Sequence, residues 1–219
     1  MTREFGAYGK IPALGDFLRL NPPSGFVQPW DSWLQTGILQ AREALGDSWE
    51  AAYMSAPIWR FTLPPDMAGP QAVLGVLMAS VDRVGRQFPL TLVCPYEGTD
   101  TVLMHFANAR LFLHLEHIAL TMLEDGVGRE TLATGLSHCT AIAATDGPVE
   151  LPFAGTVAPE ALLAAQALSH LRGRAIWSAV GADSNFLFDS KDLPRGRQMC
   201  HLFAPEAMPL GTLEDCVDL

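Results

Sequence analysis

Positive charge is scarce in this chain. Its 219 residues carry 14 lysines and arginines against 24 aspartates and glutamates, a formal net charge of -10. A nucleic-acid surface neutralises phosphates with Lys and Arg, so this balance argues against that class of partner. Lysine is the scarcer cation, since Lys10 and Lys191 stand alone among arginines. Long apolar runs are also missing. The longest near-apolar stretch, Ala72 to Val81, falls well short of the ~20 residues that a membrane-spanning helix needs, so no direct membrane insertion is expected. The first residues reach Gly6 and Pro12 before the apolar segment of a secretory signal can form, which leads us to expect a cytoplasmic protein.

Paired cysteines are lacking. Cys94, Cys139, Cys200 and Cys216 are widely separated and form no C-x-x-C, which leaves isolated thiols as the expectation rather than disulfides or zinc. Complete catalytic motifs are lacking too. The stretch EFGAYGKIPALGDF, Glu4 to Phe17, sets a lysine after a glycine as a phosphate-binding loop does, but that loop reads G-x-x-x-x-G-K-[ST]. Here Glu4 stands where the first glycine belongs, and Ile11 where a hydroxyl would hold magnesium. Gly6, Gly9 and Gly15 do not space as a dinucleotide fingerprint either.

The histidines fare no better. His114-Leu115-Glu116-His117 fits neither H-E-x-x-H nor its inverted form, and His105 lies half a helical period out of phase with His114. Cys200-His201 with His138 or Cys139, and Ser80-x-Asp82 with His170 or His201, lack a recognisable third group to orient a base, and no G-x-S-x-G elbow occurs. We therefore expect no catalytic residue, no metal site, no cofactor and no enzymatic activity.

What is present suits a folded domain. Hydrophobic residues make up 49% of the chain and charged ones 17%, enough to bury one substantial core. Strands are predicted at Glu4 to Tyr8, Ile58 to Leu63, Ala72 to Ser80, Phe88 to Cys94, Ala175 to Val180 and Phe186 to Phe188. Trp30, Trp33, Leu34, Ile38, Leu39 and Leu45 recur at helical spacing from Phe26 to about Gly46. Further helices are expected at Trp49 to Met54, His105 to Leu123, Ala158 to Leu171 and Pro194 to Phe203. In the His105 to Leu123 helix, Phe106, Leu111, Leu115, Ile118 and Met122 form the apolar face. Gly126 to Leu151 reads as mixed. The five tryptophans, at 30, 33, 49, 59 and 177, are expected in the core. The fold class is therefore α/β: a single compact domain over residues 1–219, with a central mixed β-sheet flanked by helices on both faces. Residues 1–95 form its strand-rich part and 96–219 its helix-rich part.

The polar candidates fall in two places. Ser80-Val81-Asp82-Arg83-Val84-Gly85-Arg86-Gln87-Phe88-Pro89-Leu90 puts an acid and two arginines in a turn between apolar strands, where planar guanidinium groups can grip carboxylates or carbonyls. The Gly-Pro loop near the N-terminus adds Lys10 and Asp16. Lys10, Asp16, Ser80, Asp82, Arg83 and Arg86 are thus the candidate cluster, either a partner-binding surface or an internal Asp–Arg brace. A small-ligand cleft built from Lys10, Asp16, Asp82 and Arg86 is the alternative.

The order of these motifs resembles the TagF family of type VI secretion system-associated proteins. Its pattern is a G-x-x-G-K-x-P-x-x-G-D-F opening, a W-x-x-W-L helix, an A-P-I-W-R-F strand and an S-x-D-x-x-G-R-x-F-P-L turn. They appear here in that order, at Gly6 to Phe17, Trp30 to Leu34, Ala56 to Phe61 and Ser80 to Leu90. Further on, Trp177, Gly181 and Leu193-Pro194 are similar to later family positions. Leu14, Ala79 and Ser178 depart from it, standing where an arginine, a proline and a second tryptophan are common. The resemblance implies a compact α/β fold and a cytoplasmic accessory regulator that represses type VI secretion after translation by engaging a forkhead-associated scaffold protein. It also brings a PppA-like phosphatase pathway into view, because some relatives are fused to such a domain, for which these 219 residues leave no room. A structural subunit of the secretion assembly is the further alternative.

Overall fold

The strand Val73–Met78 is buried at every position, which requires cover on both of its faces. It is the middle of a seven-stranded sheet in a computed structural model that describes residues 4–98, 100–141, 171, 173–181 and 184–207. In chain order the strands are β1 (Gly6–Gly9), β2 (Leu18–Leu20), β3 (Trp59–Leu63), β4 (Val73–Met78), β5 (Leu90–Pro95), β6 (Ala175–Val180) and β7 (Asn185–Ser190). Across the sheet they run β2-β1-β5-β4-β3-β6-β7. The helices are α1 (Val27–Leu45), α2 (Trp49–Ser55), α3 (Thr101–Ala107), α4 (Ala109–Thr121), α5 (Arg129–Ser137) and α6 (Arg197–Phe203).

Period-two alternation sorts the side chains into two cores. Leu74, Val76, Met78, Leu90, Leu92 and Cys94 point to one face, where Leu111, Phe112, Leu115 and Ile118 of α4 and Leu132 and Leu136 of α5 cover them. On the other face Trp59, Phe61, Leu63, Val73, Leu77 and Trp177 meet Trp30, Trp33 and Leu34 of α1, Trp49 and Tyr53 of α2, and Met199 and Phe203 of α6. All five tryptophans are buried, and Trp30 and Trp33 share the inward face of α1. The α/β class and helices on both faces hold.

Several expectations need correction. The sheet, expected to be mixed, is antiparallel in every strand pair among the described residues. Neighbours such as β3–β4, β4–β5 and β6–β7 are consecutive in the chain, and short connections between adjacent strands reverse direction. The predicted helix from His105 to Leu123 is two helices broken at Asn108. That residue leaves helical geometry at ψ 20, and its side-chain amide donates to the Met104 carbonyl at 2.9 Å. Phe106, placed by the single-helix reading on the buried face, ends up in α3 and is 56% exposed. β2 is a strand that the sequence did not announce. β6 pairs with β3, so the strand-rich and helix-rich parts share one sheet. The expected helix from Ala158 to Leu171 lies almost wholly outside the described residues, and Cys216 and His170 lie outside them. Cys94, Cys139 and Cys200 are buried and form no disulfide among the described residues. No helix among the described residues is long and apolar enough to cross a membrane.

Candidate functional site

Two of the three glycines of the opening motif, Gly6 and Gly9, are there for close packing. A Cβ on Gly6 would lie 2.2 Å from the Asn21 carbonyl oxygen, and one on Gly9 would lie 2.0 Å from that of Pro89. Gly9 also sits at φ 137, a conformation that side chains resist. β1 can therefore press against the segment leading into β5, which brings Lys10 beneath the turn of residues 80–88.

That turn closes on itself. Val81 bridges to Gln87, the Asp82 N–H donates to the Arg86 carbonyl at 3.1 Å, and Gly85 takes the positive φ of 81. Asp82 then points inward, with a side chain fully shielded from solvent. Its Oδ1 accepts from the backbone N–H groups of Val84 at 3.1 Å and Arg86 at 2.9 Å. Its Oδ2 accepts from Arg86 Nε at 2.6 Å and from Lys10 Nζ at 3.0 Å. Burial pushes the carboxyl pKa up, but donors from Arg86, Lys10 and Val84 outweigh it and hold the group well below the usual carboxylate range.

The remaining bonds tie this carboxylate to three segments. Lys10 Nζ also reaches the Arg86 carbonyl at 3.4 Å and stands 5.3 Å from the centre of the Phe17 ring. The Lys10 carbonyl accepts from Ser80 Oγ at 2.8 Å. Tyr53 of α2 donates its hydroxyl to the Ser80 carbonyl at 2.7 Å and accepts the Ser80 N–H at 3.1 Å. Burial raises the Tyr53 pKa far above the usual phenol value, although its bond to the Ser80 backbone works the other way. Arg83 N–H donates to the Leu14 carbonyl at 2.9 Å, and Arg86 Nη2 to that of Gly15 at 2.7 Å. The Arg83 guanidinium lies against Gly15, where an added Cβ would come within 3.1 Å of Nη2.

Five of the six candidates thus come together. Lys10, Ser80, Asp82 and Arg86 form the brace, and Arg83 joins through its backbone. Asp16 does not: it is exposed, and its carboxylate accepts from the adjacent Phe17 N–H at 2.8 Å. The acceptor directions of Asp82 are filled from within the protein, which leaves no free carboxylate for a ligand or for general-base chemistry. Hollows of about 750 and 810 Å³ open elsewhere, beside Met67 and Arg195 and beside Phe5 and Leu136, and none of the six residues lines them. The outer side of the loop and turn is different. Phe17 is 40% exposed and Val84 69%, and they sit with exposed Asp16, Arg83 and Arg86 in a rim that the brace fixes.

Residues not singled out in the sequence complete the site. Trp49 Nε1 donates to Gln87 Oε1 at 2.7 Å, and Phe17 packs edge-on to Phe88 with centroids 4.8 Å apart. A second polar group lies on the other sheet face. His105 sits between Thr62 Oγ1 at 2.9 Å and Ser178 Oγ at 2.7 Å, beside an Arg60–Glu116 pair bonded at 2.5 and 3.0 Å. The alternation of Trp59-Arg60-Phe61-Thr62 was the available signal, since it points Arg60 and Thr62 away from the tryptophan core. His114 and His117 are exposed on α4, and the described residues contain no cluster of three metal-ligating side chains.

Residues 6–139 match the model of the TagF N-terminal domain, described as type VI secretion system-associated. The chain belongs to this family. The crystal structure of PA0076 from Pseudomonas aeruginosa PAO1 is similar to it, with a TM-score of 0.78 and 30% sequence identity, covering 95% of this chain and 97% of that one. Comparison with curated proteins finds no match. All four TagF motif blocks fall inside the matched segment, and the fold makes them one assembly. The first and fourth blocks build the brace, while the ring of Trp30 in the second packs at a tilt against Phe61 of the third, with centroids 5.0 Å apart. Trp30 Nε1 also donates to Thr91 Oγ1 at 2.9 Å, next to the end of the fourth block. As a TagF-family chain, the protein is type VI secretion-associated.

Proposed function

We propose that the chain is a non-enzymatic repressor of a bacterial type VI secretion system. It acts after translation by binding the forkhead-associated scaffold protein of that system. One observation carries the reading: Lys10 and Asp82 are turned inward and paired, and the rim that they fix, with Asp16, Arg83 and Arg86, is turned outward. A catalytic centre needs a group left free to react, whereas a binding surface gains affinity from being held rigid before its partner arrives. The rim combines an aromatic and two arginines, residue types enriched at protein interfaces, beside the exposed Val84.

A pull-down with the purified scaffold protein tests this. Arg83→Glu and Val84→Asp change exposed side chains, so both variants should fold, and each is expected to lose at least ~10-fold in affinity. Failure of the wild type to capture the scaffold rules out the partner, and undiminished capture by both variants rules out the rim. Deletion of the gene is expected to raise secretion. Loss of secretion would favour the structural-subunit reading instead.

A further inference from the structure

The sheet ends on two strands that treat their free edges differently. β2 is three residues long, carries exposed Arg19 at its centre, and is followed by Asn21 at φ 39 and then Pro22-Pro23. Brevity, a charge and prolines are the usual means of blunting an edge. β7 is twice as long and has no proline, and its one charge, Asp189, is paired with Arg174. Its six residues pair with β6 in unbroken register, without proline or bulge, and no strand pairs with its outer side among the described residues. Phe186 and Phe188 pack against Trp59 at 6.1 and 5.4 Å between centroids, and both also meet His201, which holds the strand firm. On the opposite face Leu187 is 62% exposed, near Val180 at 60%. A rigid, apolar strand with an open row of N–H and C=O groups is a template for another strand.

We propose that β7 pairs antiparallel with β7 of a second copy of this chain, about a two-fold axis at Leu187. The strand is complementary to itself in that register. Directly opposite residues share a face, so Leu187 meets Leu187, Phe186 meets Phe188, and Asn185 meets Asp189 on either side of the axis. Asp189 uses Oδ2 to hold Arg174, which leaves Oδ1 to accept from the Asn185 amide of the other copy. Moving the axis to Phe188 would set Leu187 against Asp189 and lose both the apolar contact and the polar pair. The pairing joins two sheets into one and leaves the rim, near the β2 end of each sheet, free on both copies. It stands independently of the scaffold reading.

Sedimentation equilibrium on the full chain tests this. The wild type is expected to rise with concentration toward twice the monomer mass. Leu187→Lys, which sets two ammonium groups at the axis, is expected to weaken association at least tenfold without changing circular dichroism. Leu187→Cys is expected to cross-link with a short bismaleimide well above the wild-type background, which reports the register even if the lysine variant misfolds. A wild type that stays monomeric at every soluble concentration overturns the proposal. So does a dimer that tolerates Leu187→Lys, or one in which Leu187→Cys fails to cross-link.

Discussion

Lys10 Nζ lies 3.0 Å from Asp82 Oδ2, and the carboxylate has no exposure to solvent. This contact fastens the loop after β1 to the turn before β5, and it gives one of the chain's two lysines a structural assignment.

Lys10→Met keeps most of the stem and deletes the charge, leaving a buried carboxylate with one cation fewer. Breaking a buried pair from one side is costly, because the other charge stays behind. The urea midpoint is expected to fall clearly. Lys191→Met, at an exposed site, should stay within ~0.5 kcal/mol of wild type. Equal midpoints for the two variants would show that the pair contributes nothing.

Gly9→Ala forces a Cβ to within 2.0 Å of the Pro89 carbonyl oxygen at φ 137. Strain and overlap together are expected to cost on the order of 3 kcal/mol or more. Gly85→Ala, at φ 81 in open space, should cost only about 1 kcal/mol. Denaturant titration of the two variants separates close packing from backbone strain alone. If the wild-type loop served phosphate, millimolar nucleotide would also raise the melting temperature, and we expect no such shift.

Thr91→Val replaces the acceptor of the buried Trp30 indole N–H with a methyl group of similar shape. An unsatisfied buried donor costs about 1–3 kcal/mol, and that loss is expected in equilibrium unfolding. Thr91→Ser restores the acceptor and should recover most of it.

Acid should weaken the fold through His105. Burial, with a smaller contribution from the Arg60 charge, lowers its pKa from 6.5 to about 3. Below about 6.5 the unfolded chain binds a proton that the folded chain refuses, so stability falls as pH drops from about 6.5 toward about 3. The slope is at most ~1.4 kcal/mol per pH unit. His105→Gln, which cannot take up that proton, should flatten the dependence in this window. Parallel curves for wild type and variant would remove His105 as its source.

Much of this was readable from spacing. Alternation at Trp59 to Leu63 and helical steps at Trp30, Trp33 and Leu34 were plain because burial on one face leaves a period. The break at Asn108 was hidden, since one side-chain bond to the backbone decided it within a strong apolar pattern. β2 was too short to show a period at all. The acid and arginines of the Asp82 turn marked a brace or a surface, yet the choice between them needed β1 placed beside β5. Adjacency also misled: Asp16 neighbours Gly15, whose carbonyl holds Arg86, but its own side chain turns outward. Tyr53 could not have been matched to Ser80 without knowing how α2 crosses the sheet.

The placement of β6 beside β3 bears on how the molecule can be cut. Trp59 donates its indole N–H to the Leu202 carbonyl at 2.7 Å, and Trp33 donates to that of Pro194 at 2.7 Å. Trp177 stacks between Trp30 and Phe188, with centroids 6.4 and 6.1 Å away. A fragment ending at residue 139 would strip β3 of a neighbour, remove Trp177, and leave Trp33 and Trp59 without their acceptors. The segment by which the family is recognised is therefore shorter than the unit that folds.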